Sequence, residues 1–192
     1  MAMNRITDNF SVALLLSAIL VNLVFGGAVA ARAETAGLDR YFEELADPDY
    51  DGWSRAESDI RRAWSRSGSA AMDLLLQRGQ DALDAGDIPA AIEHLTALTD
   101  HAPDFAEGWN ARASAYFMAG MYGPSMVDVA HVLQLEPRHW GALAGLGMIF
   151  EEMGDEPRAR EAYERSFALN PHQQDVKDAL GRLQRALAGT AL

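Results

Sequence analysis

The sequence predicts an all-α fold, an array of stacked helical hairpins, and three observations carry that expectation. Gly86, Gly120 and Gly154 follow one another at intervals of 34 residues, and so do Pro103, Pro137 and Pro171. Between these markers the apolar residues recur at helical rather than strand spacing. Two residue types holding one register through three units signal a repeat array rather than a single globular core.

Composition narrows the partners. The chain has 192 residues, 49% of them hydrophobic and 23% charged, which is ordinary for a folded protein. Its formal net charge is -12 and its pI is near 4.7. Phosphate binding needs clustered Lys and Arg, so a nucleic-acid partner is not expected. Only Lys177 among the 16 basic residues is a lysine, and no polybasic patch is available for an anionic membrane surface. The absence of cysteine excludes disulfides, thiolate metal sites and cysteine nucleophiles.

Residues 1–33 read as a segment apart from the fold. Arg5 precedes an uncharged run from Phe10 to Ala31 with an apolar centre, Val12 to Phe25, and Ala31-Arg32-Ala33 then supplies small residues for cleavage before Glu34, with Ala28-Val29-Ala30 as a second possible site. This is the pattern of a secretory signal. The run is also just long enough for a single membrane anchor, which is the alternative. Either reading places the remainder outside the cytoplasm, in the bacterial periplasm. With the signal removed, the mature domain is expected not to bind membrane.

Residues 34–71 read as a degenerate N-terminal cap hairpin and linker. Leu38, Tyr41, Phe42 and Leu45 share one face of a short helix, Asp47-Pro48 ends it, and Trp53, Ala56, Ile60, Ala63 and Trp64 form the stripe of a second. Gly52 lies 34 residues before Gly86, in the register of a repeat. The intervening string Asp47-Pro-Asp-Tyr-Asp-Gly52 matches the first six positions of a calcium loop, but the twelfth is Ser58 where a bidentate Glu belongs. A turn rich in Asp is the preferred reading.

Three units follow, at 72–105, 106–139 and 140–173. Each places a small residue in its first helix (Gly79, Ala113, Gly147) and another in its second (Ala91, Ser125, Ala159), where the two helices are expected to cross closely. The glycines at 86, 120 and 154 suit a left-handed residue closing the turn. Pro89, Pro124 and Pro157 sit near the starts of the second helices, where a missing N–H is tolerated. A last helix within 174–192 carries Val176, Ala179, Leu180, Leu183 and Leu187 on one face and polar residues on the other, as a terminal solvating helix requires.

The third unit carries Leu143, Leu146-Gly147, Phe150, Ala159, Tyr163 and Pro171 at the offsets of the 34-residue signature W-x₂-L-G-x₂-Y…A-x₃-F…P. The chain thus resembles the tetratricopeptide repeat family. The resemblance implies an α-solenoid whose first helices line a groove, with exposed positions at the second, fifth, ninth, twelfth and thirteenth residues of each unit. These are Asp73, Leu76, Gln80, Leu83 and Asp84, then Glu107, Asn110, Ser114, Phe117 and Met118, then Gly141, Ala144, Met148, Glu151 and Glu152. Leu76, Gln80, Leu83, Glu107, Asn110, Ser114, Phe117, Met118, Met148 and Glu151 are the candidate peptide-binding set. Family members that clamp a terminal carboxylate use Lys, Arg and Asn at such places, and no Lys stands there.

No catalytic set converges. The five histidines form no metal-binding or catalytic spacing, His139 and His172 at the unit junctions are expected to be exposed loop residues, and neither metal nor cofactor is expected. Arg78 and Arg112 share one slot, where a structural use is expected, the stem packing and the head pairing with Asp128 or with carbonyls of the neighbouring helix rather than with a ligand. The expected role is a protein-interaction scaffold, an adaptor or co-chaperone that holds an apolar, basic segment or helix of an envelope protein in the groove. The alternative is a structural subunit docking through its convex face or its N-terminal hairpin, with Trp53 and Trp64 at the contact.

Overall fold

The computed structural model describes residues 37–189, with side chains through Ala186, and within them every regular element is a helix. The predicted leader, residues 1–33, lies outside the described residues. Helix α1 spans 37–46. It is followed by α2 (Trp53–Trp64), α3 (Ala70–Asp84), α4 (Ile88–His101), α5 (Ala106–Met118), α6 (Tyr122–Leu135), α7 (Trp140–Glu152), α8 (Glu156–Leu169) and α9 (Gln174–Gly189). From Phe42 onward the chain forms one compact unit; residues up to Tyr41 group separately.

Three antiparallel hairpins, α3–α4, α5–α6 and α7–α8, stack in sequence, and α9 packs on α8. The turns inside them share one construction. Gly86, Gly120 and Gly154 have φ of 75°, 71° and 73°. The next residue's N–H then reaches back to the helix end: Asp87 to Ala82 O, Met121 to Tyr116 O and Asp155 to Phe150 O, each at 2.8 Å. This closes carbonyls that a helix otherwise leaves open. Asp87 and Asp155 then cap the second helices, accepting from the N–H groups of Ala90 and Arg158.

Small residues set the distance between paired helices. A Cβ built on Gly79 would lie 2.5 Å from Leu95, and one on Gly147 would lie 2.6 Å from the Tyr163 ring. At the same crossing in the middle hairpin, the Ser125 hydroxyl donates to Ala113 O at 2.7 Å. Apolar layers fill the spaces between hairpins, from Leu76, Leu95 and Leu98 through Val129, Val132 and Ile149 to Tyr163, Val176 and Leu183.

One buried ion pair lies within the middle hairpin and is tied to the hairpin before it. Arg112 on α5 holds Asp128 on α6 through two bonds of 2.7 and 2.9 Å and donates to Thr99 on α4 at 2.8 Å. Its guanidinium also faces the rings of Trp109 and Tyr116 at 4.8 and 5.6 Å. The bond to Asp128 raises the affinity of Arg112 for its proton, against the opposing effect of burial. Of the two expected partners, Asp128 and the carbonyls of the neighbouring helix, the fold contains the first.

The N-terminal hairpin occupies a different place from the expected one. It does not pair with α3 as a cap would, and Leu74 on the first hairpin stays 46% exposed. Instead α2 straps across the later junctions. Trp64 stacks on His139 with centroids 4.2 Å apart, and Trp53 stacks on His172 at 4.5 Å. Trp64 and Phe42 also meet Trp140, and Arg61 lies over the Trp140 ring at 5.4 Å. The His172 ring reaches Asp47 O at 3.1 Å. The physical reason is that the small crossing slots of the repeat register are filled here by Leu45 and Glu57, too large for a close crossing, while the flat rings of α2 find their area on imidazole and indole faces.

His139 and His172 are therefore not exposed loop residues. His139 is buried and caps α7: its Nδ1 accepts from Ala142 N at 3.0 Å. The Asp-rich string forms a turn, in which Asp49 N donates to Asp47 Oδ1 at 2.9 Å.

Candidate interaction groove

The first helices α3, α5 and α7 lie side by side, and three recesses run along them. A recess of about 260 Å³ lies between α5 and α7, lined by Asn110, Ala113, Ser114, Phe117 and Met118 on one side and Gly141, Gly145, Met148 and Ile149 on the other. A second, of about 580 Å³, shares Phe117 and Met148 with it and continues over Glu151, Glu152 and Tyr163 to Asp175, Asp178 and Arg182 of α9. A third, of about 180 Å³, shares Asn110 and Gly141 and is bounded by Gln80, Glu107, His139 and the strap residues Arg61 and Trp64. One groove thus runs from the end of α2 to α9.

Of the sequence-predicted set, Asn110, Ser114, Phe117, Met118 and Met148 come together around the apolar recess, Glu151 stands in the acidic one, and Gln80 and Glu107 lie beside the strap. Leu76 and Leu83 do not line it. Leu76 is 3% exposed in the first core layer and Leu83 packs against that layer. Both leucines belong to the interface that α3 makes with α4 and α5, where burial of two large aliphatic side chains outweighs the pattern inherited from the repeat.

Tyr163, Asp175, Asp178 and Arg182 were missed. For the last three the signal was available on α9, where 175, 178 and 182 follow the i, i+3, i+7 spacing of one helical face, but a terminal helix reads most simply as facing water. The two tryptophans assigned to an external contact, Trp53 and Trp64, are already stacked on this chain's own histidines.

The groove's charge is fixed by short bonds. The Tyr163 hydroxyl donates to Glu151 Oε2 at 2.6 Å, and Arg182 approaches the same carboxylate at 3.4 Å. Burial, reinforced by Glu151, pushes the Tyr163 phenol above its usual range. Tyr122 donates to Glu152 at 3.2 Å. At the other end Glu107 accepts from Asn110 and meets His139 Nε2 at 3.1 Å; because Nδ1 of His139 is an acceptor, Nε2 carries the hydrogen. Glu151, Glu152, Asp175 and Asp178 face one cation, Arg182, at the α9 end. Among the described residues, no group of three His, Asp or Glu side chains has the geometry to hold a metal ion.

Comparison with known proteins agrees with this architecture. A family profile described as tetratricopeptide repeat matches residues 76–123. A TPR repeat-containing protein of Rhizobium etli is 35% identical over 169 residues, covering 88% of this chain and 83% of that protein. The SGT1 homolog of Bos taurus is 29% identical over 121 residues, which are 63% of this chain but 36% of that protein. Among solved structures, the first TPR of Spaghetti (RPAP3) bound to the HSP90 peptide SRMEEVD superposes with a TM-score of 0.59 at 24% identity, covering 61% of this chain and 93% of that one. MamA superposes with a TM-score of 0.57 at 23% identity, covering 79% and 83%.

Proposed function

Because the chain belongs to the tetratricopeptide repeat family, we propose that its groove binds a segment of another protein, one that is apolar and carries Lys or Arg. The observation behind this reading is the continuity of the apolar recess at Phe117 and Met148 with the acidic recess at Glu151, Glu152, Asp175 and Asp178. Apolar anchors supply burial, and carboxylates on the border favour a cationic partner and set register more than affinity. An acidic tail such as the one bound in the RPAP3 complex would meet like charge here. The role is that of a binding module, an adaptor or co-chaperone, rather than a catalyst.

The site of action in this reading is the bacterial periplasm, with an envelope protein as partner. It rests on the leader pattern of residues 1–33. Mature protein isolated from cells is expected to begin near Glu34; an N-terminus at Met1 would sink the export reading in its cleaved form. For the groove, Asn110→Ala combined with Phe117→Ala is expected to lower capture of the partner from membrane-fraction extract by about tenfold or more, the scale of losing a central aromatic anchor. Unchanged capture by the folded double variant would refute the groove as the binding surface.

A further inference from the structure

We propose that Met118 and Met148 are sites of reversible oxidation to the sulfoxide, and that their oxidation closes the apolar recess to its partner. The inference rests on the groove reading above and adds to it a chemical modification that switches the groove off.

The chain contains eight methionines and no cysteine, so all of its sulfur is thioether. The described methionines fall into two groups. Met72 and Met126 are partly buried and pack against core layers. Met118, Met121, Met148 and Met153 are 55%, 44%, 45% and 49% exposed and belong to none of the three layers. Of these four, Met118 on α5 and Met148 on α7 line the apolar recess from opposite sides, with Phe117 beside them. The recess therefore has its two accessible thioethers where a partner's apolar anchor would press.

The oxidant is a two-electron one, hydrogen peroxide. In the step itself the sulfur lone pair bonds to one peroxide oxygen as the O–O bond breaks, and the other oxygen leaves as water with both peroxide protons. Sulfur loses two electrons and the peroxide gains them. A soft apolar surface then carries an oxygen that accepts hydrogen bonds.

An apolar anchor pressed on that oxygen supplies no donor, and the side chains of the wall do not make up for it. The Ser114 and Ser125 hydroxyls already donate to Asn110 O and Ala113 O. One N–H of the Asn110 amide goes to Glu107, and the other starts eight residues before Met118, about 12 Å along α5. The sulfoxide oxygen is hydrated in the open groove and loses that water when an anchor seats, which is costly. The fold does not share the cost, because neither thioether belongs to a core layer.

The test treats the protein with hydrogen peroxide and follows binding of Nile red, a neutral apolar dye, by fluorescence titration. Untreated protein is expected to bind the dye and Phe117→Ala to bind it more weakly, with Ser114→Arg serving if Phe117→Ala does not fold. Peptide mapping by mass spectrometry should find oxygen added at Met118 and Met148 severalfold faster than at Met72 and Met126. Once both are oxidised, dye affinity is expected to fall by about tenfold, the scale of stranding one polar group, with an unchanged circular dichroism spectrum. The two epimer-specific methionine sulfoxide reductases should restore it. Met118→Leu with Met148→Leu, compared with its own untreated affinity, is expected to lose nothing on treatment, whereas Met121→Leu with Met153→Leu should lose as much as the parent.

Unchanged dye affinity in protein that carries both sulfoxides overturns the switch and leaves the groove reading standing. So does an equal loss in the Met118→Leu, Met148→Leu variant, or a loss that accompanies unfolding. Oxidation of Met118 and Met148 no faster than that of Met72 and Met126 overturns the switch as well. If the untreated protein binds no dye, or binds it no better than the Phe117 or Ser114 variant, both inferences fall.

Discussion

Replacing Arg112 by Met is expected to lower the unfolding free energy by about 3–5 kcal/mol, the range for stranding one member of a buried ion pair. The melting temperature should fall by roughly 10 °C in a chain of this length. The cause is not the lost attraction alone. Asp128 is 2% exposed, and without the guanidinium its carboxylate remains in a space that water does not reach. Asp128→Leu should cost a similar amount for the converse reason. The double variant, Arg112→Met with Asp128→Leu, is expected to recover most of the loss, because two apolar side chains need no partner there. Thr99 tolerates the change, since its hydroxyl also donates to Thr96 O at 3.1 Å. Urea midpoints at unchanged m-value measure all three. Strict additivity in the double variant would show that the two charges are not energetically coupled.

Trp140→Ala should have the other large effect. The indole is 1% exposed and is surrounded by Phe42, Trp64 and Arg61, so its removal is expected to cost about 3–5 kcal/mol. It should also loosen the strap, which can be detected apart from global stability as faster proteolysis of the 65–69 linker under native conditions. Trp64→Ala removes the ring from the strap side of the same contact. It should give the same proteolytic signature with a smaller shift in melting temperature, because the hairpin array keeps its own core layers. A linker as resistant in Trp64→Ala as in the parent would show that the aromatic cluster does not hold α2 in place.

The parts of the fold that were legible in the sequence are those governed by local rules. Gly86, Gly120 and Gly154 mark turns because a left-handed residue is needed at one fixed offset from a helix end, and that offset repeats. The closeness of Arg112 and Asp128 could be read because they sit on two helices of one hairpin, whose register the repeat dictates. Trp53 and Trp64 obeyed no such rule. Their partners, His172 and His139, lie 119 and 75 residues further on, in loops that by composition read as exposed, and no periodicity links a ring in one hairpin to an imidazole at a remote junction. The groove was read in part. Phe117, Met118 and Met148 follow from the repeat, whereas Leu76 and Leu83 show that the first hairpin turns that face inward. Asp175 and Asp178 were visible as charges but not as wall, because only the packing of α9 on α8 brings them to the end of the groove.

The strap changes how the array must assemble. In an open stack each hairpin touches only its neighbours, and order can spread from any point and be lost from either end. Here Glu57 meets Asn170 and Asp47 meets His172 across 113 and 125 residues of chain. A closure of that span gains nothing until nearly everything between its ends is in place, and its entropy must be lost first. Helix α2 is therefore synthesised before the hairpins it rests on and is the last to find its seat. Once seated, it couples the fraying of the last hairpin to the release of α2, so that strap and last hairpin open together.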